Sequence, residues 1–142
     1  MIEQMIEFAG NNMLLVAAWF IAASFLVINL TADNKNNILP SRATEMINHD
    51  DAIVVDVRPA ADFNKGHIIN AINIPANTLT KQMSMLSKYQ NKPIIVSCRS
   101  GAQSSVACRQ LKKAGYENVF NLKGGILSWQ SDNLPVSTKK KK

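Results

Sequence analysis

The first 34 residues contain no lysine or arginine, and all 16 basic side chains of the 142-residue chain lie beyond them. Cysteine is scarce, with Cys98 and Cys108 the only two. Two cysteines do not make a disulfide scaffold, and a domain of this size needs none. The two histidines, His49 and His67, stand alone, so no Cys/His group has zinc spacing. No metal and no other cofactor is expected. Basic residues are not interleaved with aromatic ones as on a nucleic-acid surface, so no nucleic-acid partner is expected. No internal repeat is visible.

Charge is distributed unevenly. Residues 1–30 carry only Glu3 and Glu7, a charge of −2, so the rest of the chain carries +8 against a net +6. Lys139, Lys140, Lys141 and Lys142 supply half of that +8, and residues 136–142 read as a lysine-rich solvated tail. The folded part is therefore only mildly basic.

Residues 13–30 lack any charged side chain, and Ser24 and Asn29 are their only polar ones. As a helix this stretch would span roughly 27 Å, close to the hydrocarbon thickness of a bilayer. A cleaved signal peptide would call for a basic segment ahead of it, where Glu3 and Glu7 stand instead. A stretch apolar on all faces also does not suit a buried soluble helix. A retained transmembrane helix at 13–30, behind an N-terminal segment 1–12, is the expectation. Lys35 and Arg42 follow the span and no basic residue precedes it. This bias predicts a single-pass protein with its C-terminal domain in the cytoplasm.

Residues 31–39 are polar and asparagine-rich and read as a linker. Pro40 and Ser41 open a helix, with Ser41 as the expected N-cap. Residues 53–57 are mostly apolar and β-branched, as in a strand buried on both faces. Residues 62–68 read as a helical turn and loop, and 71–74 as a second strand. Residues 78–89 place Leu79, Met83, Leu86 and Tyr89 at helical spacing. A third strand is expected at 94–97, a helix at 104–114, a fourth strand at 118–122 and a short helix around Trp129. Alternating strands and helices predict an α/β domain, with a mainly parallel central sheet flanked by helices, over 40–135.

The chemistry is expected where the third strand ends, at Cys98. Small residues follow it, and then a helix begins. Backbone N–H groups of such a loop can converge on the sulfur, and the helix N-terminus adds partial positive charge. Both lower a thiol pKa, and the thiolate is the reactive form.

The motifs Asp56-Val57-Arg58, Phe63 with Gly66-His67-Ile68, Ala71-Ile72-Asn73-Ile74-Pro75, Cys98-Arg99-Ser100-Gly101, and Gly124-Gly125 with Trp129 occur in this order. Together they resemble the rhodanese-like domain over about residues 38–135. With the N-terminal span included, the layout resembles the single-span membrane rhodanese-like proteins of bacteria, which implies the cell inner membrane. The resemblance implies a three-layer rhodanese-like fold and a sulfurtransferase. Cys98 would take sulfur from a thiosulfate-type donor, hold it as a persulfide, and pass it to a thiol or cyanide. The implied partners are those small molecules and the membrane, with room for a membrane-protein partner. The implied active-site loop is Arg99, Ser100, Gly101, Ala102, Gln103 and Ser104.

Phosphatase relatives of the family use a longer loop and an arginine six positions after the cysteine, where this chain has Ser104. The six residues from Cys98 to Gln103 match the loop length associated with sulfur. Many family members carry arginine at the position of Gln103, a departure expected to weaken thiosulfate binding. Arg99 either attracts an anionic donor or is a solvated charge. Asp56 and Arg58 are expected to form a supporting ion pair near the loop, and His67 to be a hydrogen-bonded supporting residue. Cys108 reads as a small core residue rather than a resolving thiol. The alternative is a non-catalytic rhodanese-like interaction module at the membrane, motivated by the anchor and Gln103.

Overall fold

The computed structural model describes residues 1–138, with the backbone only for 32–34. Residues 139–142, the end of the expected lysine tail, lie outside the described residues. The chain forms two compact units, Met1–Lys35 and Asn36–Lys142.

The first unit is two helices, α1 (Ile2–Asn11) and α2 (Met13–Asn34). Within α2 the stretch Met13–Thr31 has a mean hydropathy of 2.3 and is long and apolar enough to cross a membrane. Two of its polar side chains fold back on the helix. Asn29 Nδ2 donates to the Phe25 carbonyl at 2.8 Å and Thr31 Oγ1 to the Val27 carbonyl at 2.9 Å. Such back-bonding satisfies polar groups that hydrocarbon could not.

The second unit follows the chain as β1 (Asn37–Ile38), α3 (Pro40–His49), β2 (Ile53–Asp56), α4 (Ala60–Lys65), β3 (His67–Ile68), β4 (Ile72–Asn73) and α5 (Leu79–Gln82). A 3₁₀ segment (Met83–Tyr89) comes next, then β5 (Ile94–Ser97), α6 (Ala102–Lys113), β6 (Val119–Leu122), α7 (Gly125–Ser131) and β7 (Val136–Ser137). Five strands make a parallel sheet in the order β1-β6-β5-β2-β4, with β5 at its centre. This is the expected α/β architecture.

Strand alternation divides the core between the two faces. Val55, Ile94, Val96 and Val119 pack on one side with Ala107, Leu111, Leu79 and Leu86. Val54, Ile95 and Leu122 pack on the other with Ala43, Met46, Phe63, Ile126 and Trp129. Covering both faces is why the central strands are continuous apolar runs.

Several local expectations change. The stretch 31–39 holds the end of α2 and the strand β1, so it is not a linker throughout. β1 forms because β6 offers it a partner, with Asn37 opposite Asn121 and Ile38 opposite Leu122. A two-residue strand has no local signal of its own. Ser41 is not the N-cap: Leu39 is, and Pro40 takes the first helical position, where its missing N–H costs nothing. Residues 78–89 are one short α-helix followed by 3₁₀ structure. Met83, Leu86 and Tyr89 are spaced by three, the period at which 3₁₀ side chains align. Past residue 135, Val136 and Ser137 pair antiparallel with Ile68 and His67, so the ordered fold reaches into the stretch expected to be tail.

Candidate active site

Cys98 follows β5 directly and lies three residues before Gly101, the N-cap of α6. Parallel packing therefore carries the cysteine to the carboxyl end of the central strand, where open α/β sheets place their ligands. The thiol is buried, with 1% of the residue exposed. The Gly101 N–H donates to its Sγ at 3.0 Å, and Ser104 Oγ lies 3.3 Å from the sulfur. Gly101 has φ of +96°, the left-handed region that turns the loop into the helix. A Cβ there would stand 3.2 Å from the Gly124 nitrogen and 3.3 Å from the Leu122 carbonyl oxygen.

These contacts set the electrostatics. Burial pushes the Cys98 thiol up, but hydrogen bonds from the Ser104 hydroxyl and from the Ser104, Gly101 and Ser100 N–H groups outweigh it. The pKa is held below its ordinary 9.0. A thiolate, or any anion carried on that sulfur, is the species this loop stabilises.

The loop is clamped from behind by α7. The Ile126 N–H donates to the Cys98 carbonyl at 2.8 Å and the Leu127 N–H to the Arg99 carbonyl at 3.3 Å. The clamp requires Gly124 and Gly125, with φ of +75° and +58°. A Cβ on Gly125 would strike the Cys98 carbonyl oxygen and lie 2.6 Å from both the carbonyl carbon and oxygen of Arg99.

The structure brings Cys98, Gly101 and Ser104 together and spreads the other expected residues around them. Arg99, Ser100, Ala102 and Gln103 are exposed. Ala102 and Gln103 belong to the first turn of α6 rather than to the loop, because the helix starts two residues earlier than its spacing suggests. Arg99 shares a concavity of about 190 Å³ with Arg58 and Lys65, and Asp62 also lines it. Gln103 borders a different concavity of about 320 Å³, lined by Ala76, Asn77, Val106, Ala107 and Gln110 without a charge.

Asp56 and Arg58 form a buried pair, with Arg58 Nη2 2.6 Å from Asp56 Oδ2 and 2.8 Å from the Gly66 carbonyl. Asp56 is paired across the sheet with Ser97, so the ion pair braces the strand ends on which the loop rests. His67 is buried, stacked on Phe63 at 3.7 Å between ring centroids, with Nδ1 2.8 Å from the Phe63 carbonyl. That carbonyl can only accept, so Nδ1 carries the proton. Cys108 is a buried thiol, outside any disulfide, in the apolar cluster of α6.

Sequence reasoning missed Asn121. This side chain on β6 is buried, its Oδ1 2.5 Å from Ser104 Oγ, and its Nδ2 donates to the Gly101 carbonyl at 3.2 Å. One signal was available: a polar residue between Phe120 and Leu122 inside an apolar strand.

Residues 39–132 match the rhodanese-like domain. The chain belongs to the rhodanese-like domain family. It is 35% identical over 138 residues to YibN of Escherichia coli (strain K12), covering 94% of this chain and 96% of that one. It is 34% identical over 96 residues to a sulfurtransferase of Allochromatium vinosum, covering 68% of this chain and 88% of the relative. A crystal structure of a rhodanese-related protein from Thermoplasma volcanium superposes with a TM-score of 0.67 at 31% identity, covering 73% of this chain and 99% of that one. The buried thiol, its backbone donors and the glycine clamp of this rhodanese-like domain all fall inside the matched residues.

Proposed function

We propose that the protein is a membrane-anchored sulfurtransferase that carries sulfur as a persulfide on Cys98. One observation carries the reading: Cys98 Sγ sits at the strand end with the Gly101 N–H donating to it and a lowered pKa. The thiolate attacks the outer sulfur of a thiosulfate-type donor. A bond forms between Cys98 Sγ and that sulfur, the donor's S–S bond breaks, and sulfite leaves with the electron pair. The persulfide anion remains where N–H groups can hold it. A thiol or cyanide then attacks the outer sulfur, and the Cys98 thiolate departs. Arg99 supplies positive charge beside the loop for the anionic donor, the charges of Arg58 and Lys65 being offset by Asp56 and Asp62. Ser100, Ala102 and Gln103 shape its exposed rim, while Asp56, Arg58 and His67 act as supports.

The apolar stretch of α2 and the absence of basic residues ahead of it support a single-pass anchor in the inner membrane, with the domain in the cytoplasm.

Two observations favour the non-catalytic reading: Cys98 is only 1% exposed, and the concavity at Gln103 has no cation. One experiment separates the two. The chain is incubated with thiosulfate and its intact mass measured, then cyanide is added and thiocyanate assayed. Gain of one sulfur atom on Cys98, with thiocyanate release abolished in Cys98→Ser, is expected. Undiminished thiocyanate release from Cys98→Ser refutes the mechanism, and no sulfur uptake by the wild type favours the interaction module.

A further inference from the structure

The Ser104 hydroxyl has one proton and two acceptors. Asn121 Oδ1 lies 2.5 Å from its oxygen and Cys98 Sγ 3.3 Å away. The amide of Asn121 cannot be turned to relieve the competition. Its nitrogen end faces the Gly101 carbonyl at 3.2 Å, and a carbonyl only accepts. The same nitrogen donates to Asn37 Oδ1 at 2.8 Å, on the neighbouring strand β1. Asn121 therefore presents its oxygen to Ser104. An oxygen–oxygen separation of 2.5 Å without a proton between the atoms would be repulsive. With the sulfur neutral, the Ser104 proton points at Asn121, and the hydroxyl offers a lone pair to the Cys98 S–H.

We infer that Asn121 is a positioning residue that sets the direction of the Ser104 hydroxyl, so that ionisation of Cys98 is coupled to rotation of that hydroxyl from Asn121 to the sulfur. Ser104 is a two-position proton switch. In the thiol form it donates to Asn121 and accepts from sulfur. In the thiolate form it donates to sulfur and leaves Asn121 Oδ1 without its proton. Part of what the sulfur gains from Ser104 is thus given up at Asn121. The coupling keeps the thiol pKa from falling further, and a thiolate of higher pKa is the better nucleophile. Asn121 also pins the carbonyl of Gly101, the residue whose N–H supports the sulfur.

The burial fits a switch that solvent does not short-circuit. Ser104 is 0% exposed and Asn121 6%. Asn37 and Asn121 face each other in register across β1 and β6, which fixes the outer end of the relay.

The test reads protonation and not sulfur transfer. Its failure leaves the sulfurtransferase reading standing, and failure of that reading leaves the switch standing. The rate of iodoacetamide alkylation at Cys98 is measured against pH by mass spectrometry of the Cys98 peptide, using the full chain in detergent. Asn121→Leu keeps the branched shape and removes the acceptor. The pH of half-maximal rate should fall by about one unit, the size of one hydrogen bond to an ionised group. Asn121→Asp places a second acceptor and a negative charge there, and the pH should rise. In a Ser104→Ala background the Asn121→Leu shift should vanish and the Asn121→Asp shift should shrink. A purely structural role for Asn121 would not depend on the Ser104 hydroxyl. A shift of the same size with and without that hydroxyl, in whichever variant folds, overturns the inference, as does no shift in either.

Discussion

Replacing Gly125 with alanine should cost the domain far more than replacing Gly115, although both glycines have positive φ. Gly115, at +98°, ends α6, and a Cβ there meets nothing within 4 Å. Gly115→Ala therefore incurs the left-handed backbone penalty alone, about 1 kcal/mol. Gly125, at +58°, incurs a similar penalty and also drives its Cβ into the carbonyls of Cys98 and Arg99. Those atoms are backbone held by α7, so they cannot swing aside as a side chain would. Overpacking of this kind adds about 2 kcal/mol, for a total near 3 kcal/mol. Because the displaced atoms are those of the loop, the Gly101 N–H should also lose its aim at the sulfur, and the Cys98 pKa should rise. Urea unfolding followed by the fluorescence of buried Trp129, in a Trp19→Phe background, gives the stabilities, and alkylation against pH gives the thiol. Equal losses for the two glycines, or a Gly125→Ala loop with unchanged thiol pKa, would refute the claim that close approach of the loop demands this glycine.

Two further outcomes follow from the geometry. The native pKa of Cys98 lies below its ordinary 9.0. The unfolded chain therefore binds more protons through that window, and the thiolate's stabilisation is present above pH 9 and lost as pH falls through the native value. Stability of the wild type relative to Cys98→Ala should thus rise with pH up to about 9 and then level off, as urea titrations at several pH values would show. Arg58→Ala should destabilise the domain by about 3 kcal/mol, because Asp56, 1% exposed, would keep a buried carboxylate without its cation. Part of the loss should return in an Asp56→Asn, Arg58→Ala double variant, measured by the same unfolding assay.

The central strands were legible because burial on both faces writes itself as an uninterrupted apolar run. Residues 53–56 and 94–97 needed no tertiary information to be read as strands. Cys98 was legible for a related reason: small residues between a strand end and a helix leave few other arrangements. The strands β1, β3 and β7 were not legible. Each has two residues, and each exists because a partner distant in sequence supplies its hydrogen bonds. Asn121 was passed over for the same reason, since its partners Gly101, Ser104 and Asn37 are 17 to 84 residues away.

The sequence by itself pointed to the cysteine at a strand end, the sheet that carries it, and an N-terminal helix apolar enough to cross a membrane. These are local properties: residue type, periodicity and the length of an apolar run. Only the tertiary structure decided how the sulfur is held. The glycine clamp of α7 on the loop and the contest between Asn121 and Cys98 for one serine proton depend on distances between separate elements. Spacing along a chain does not encode such distances, because the sheet sets them when β6 is laid beside β5.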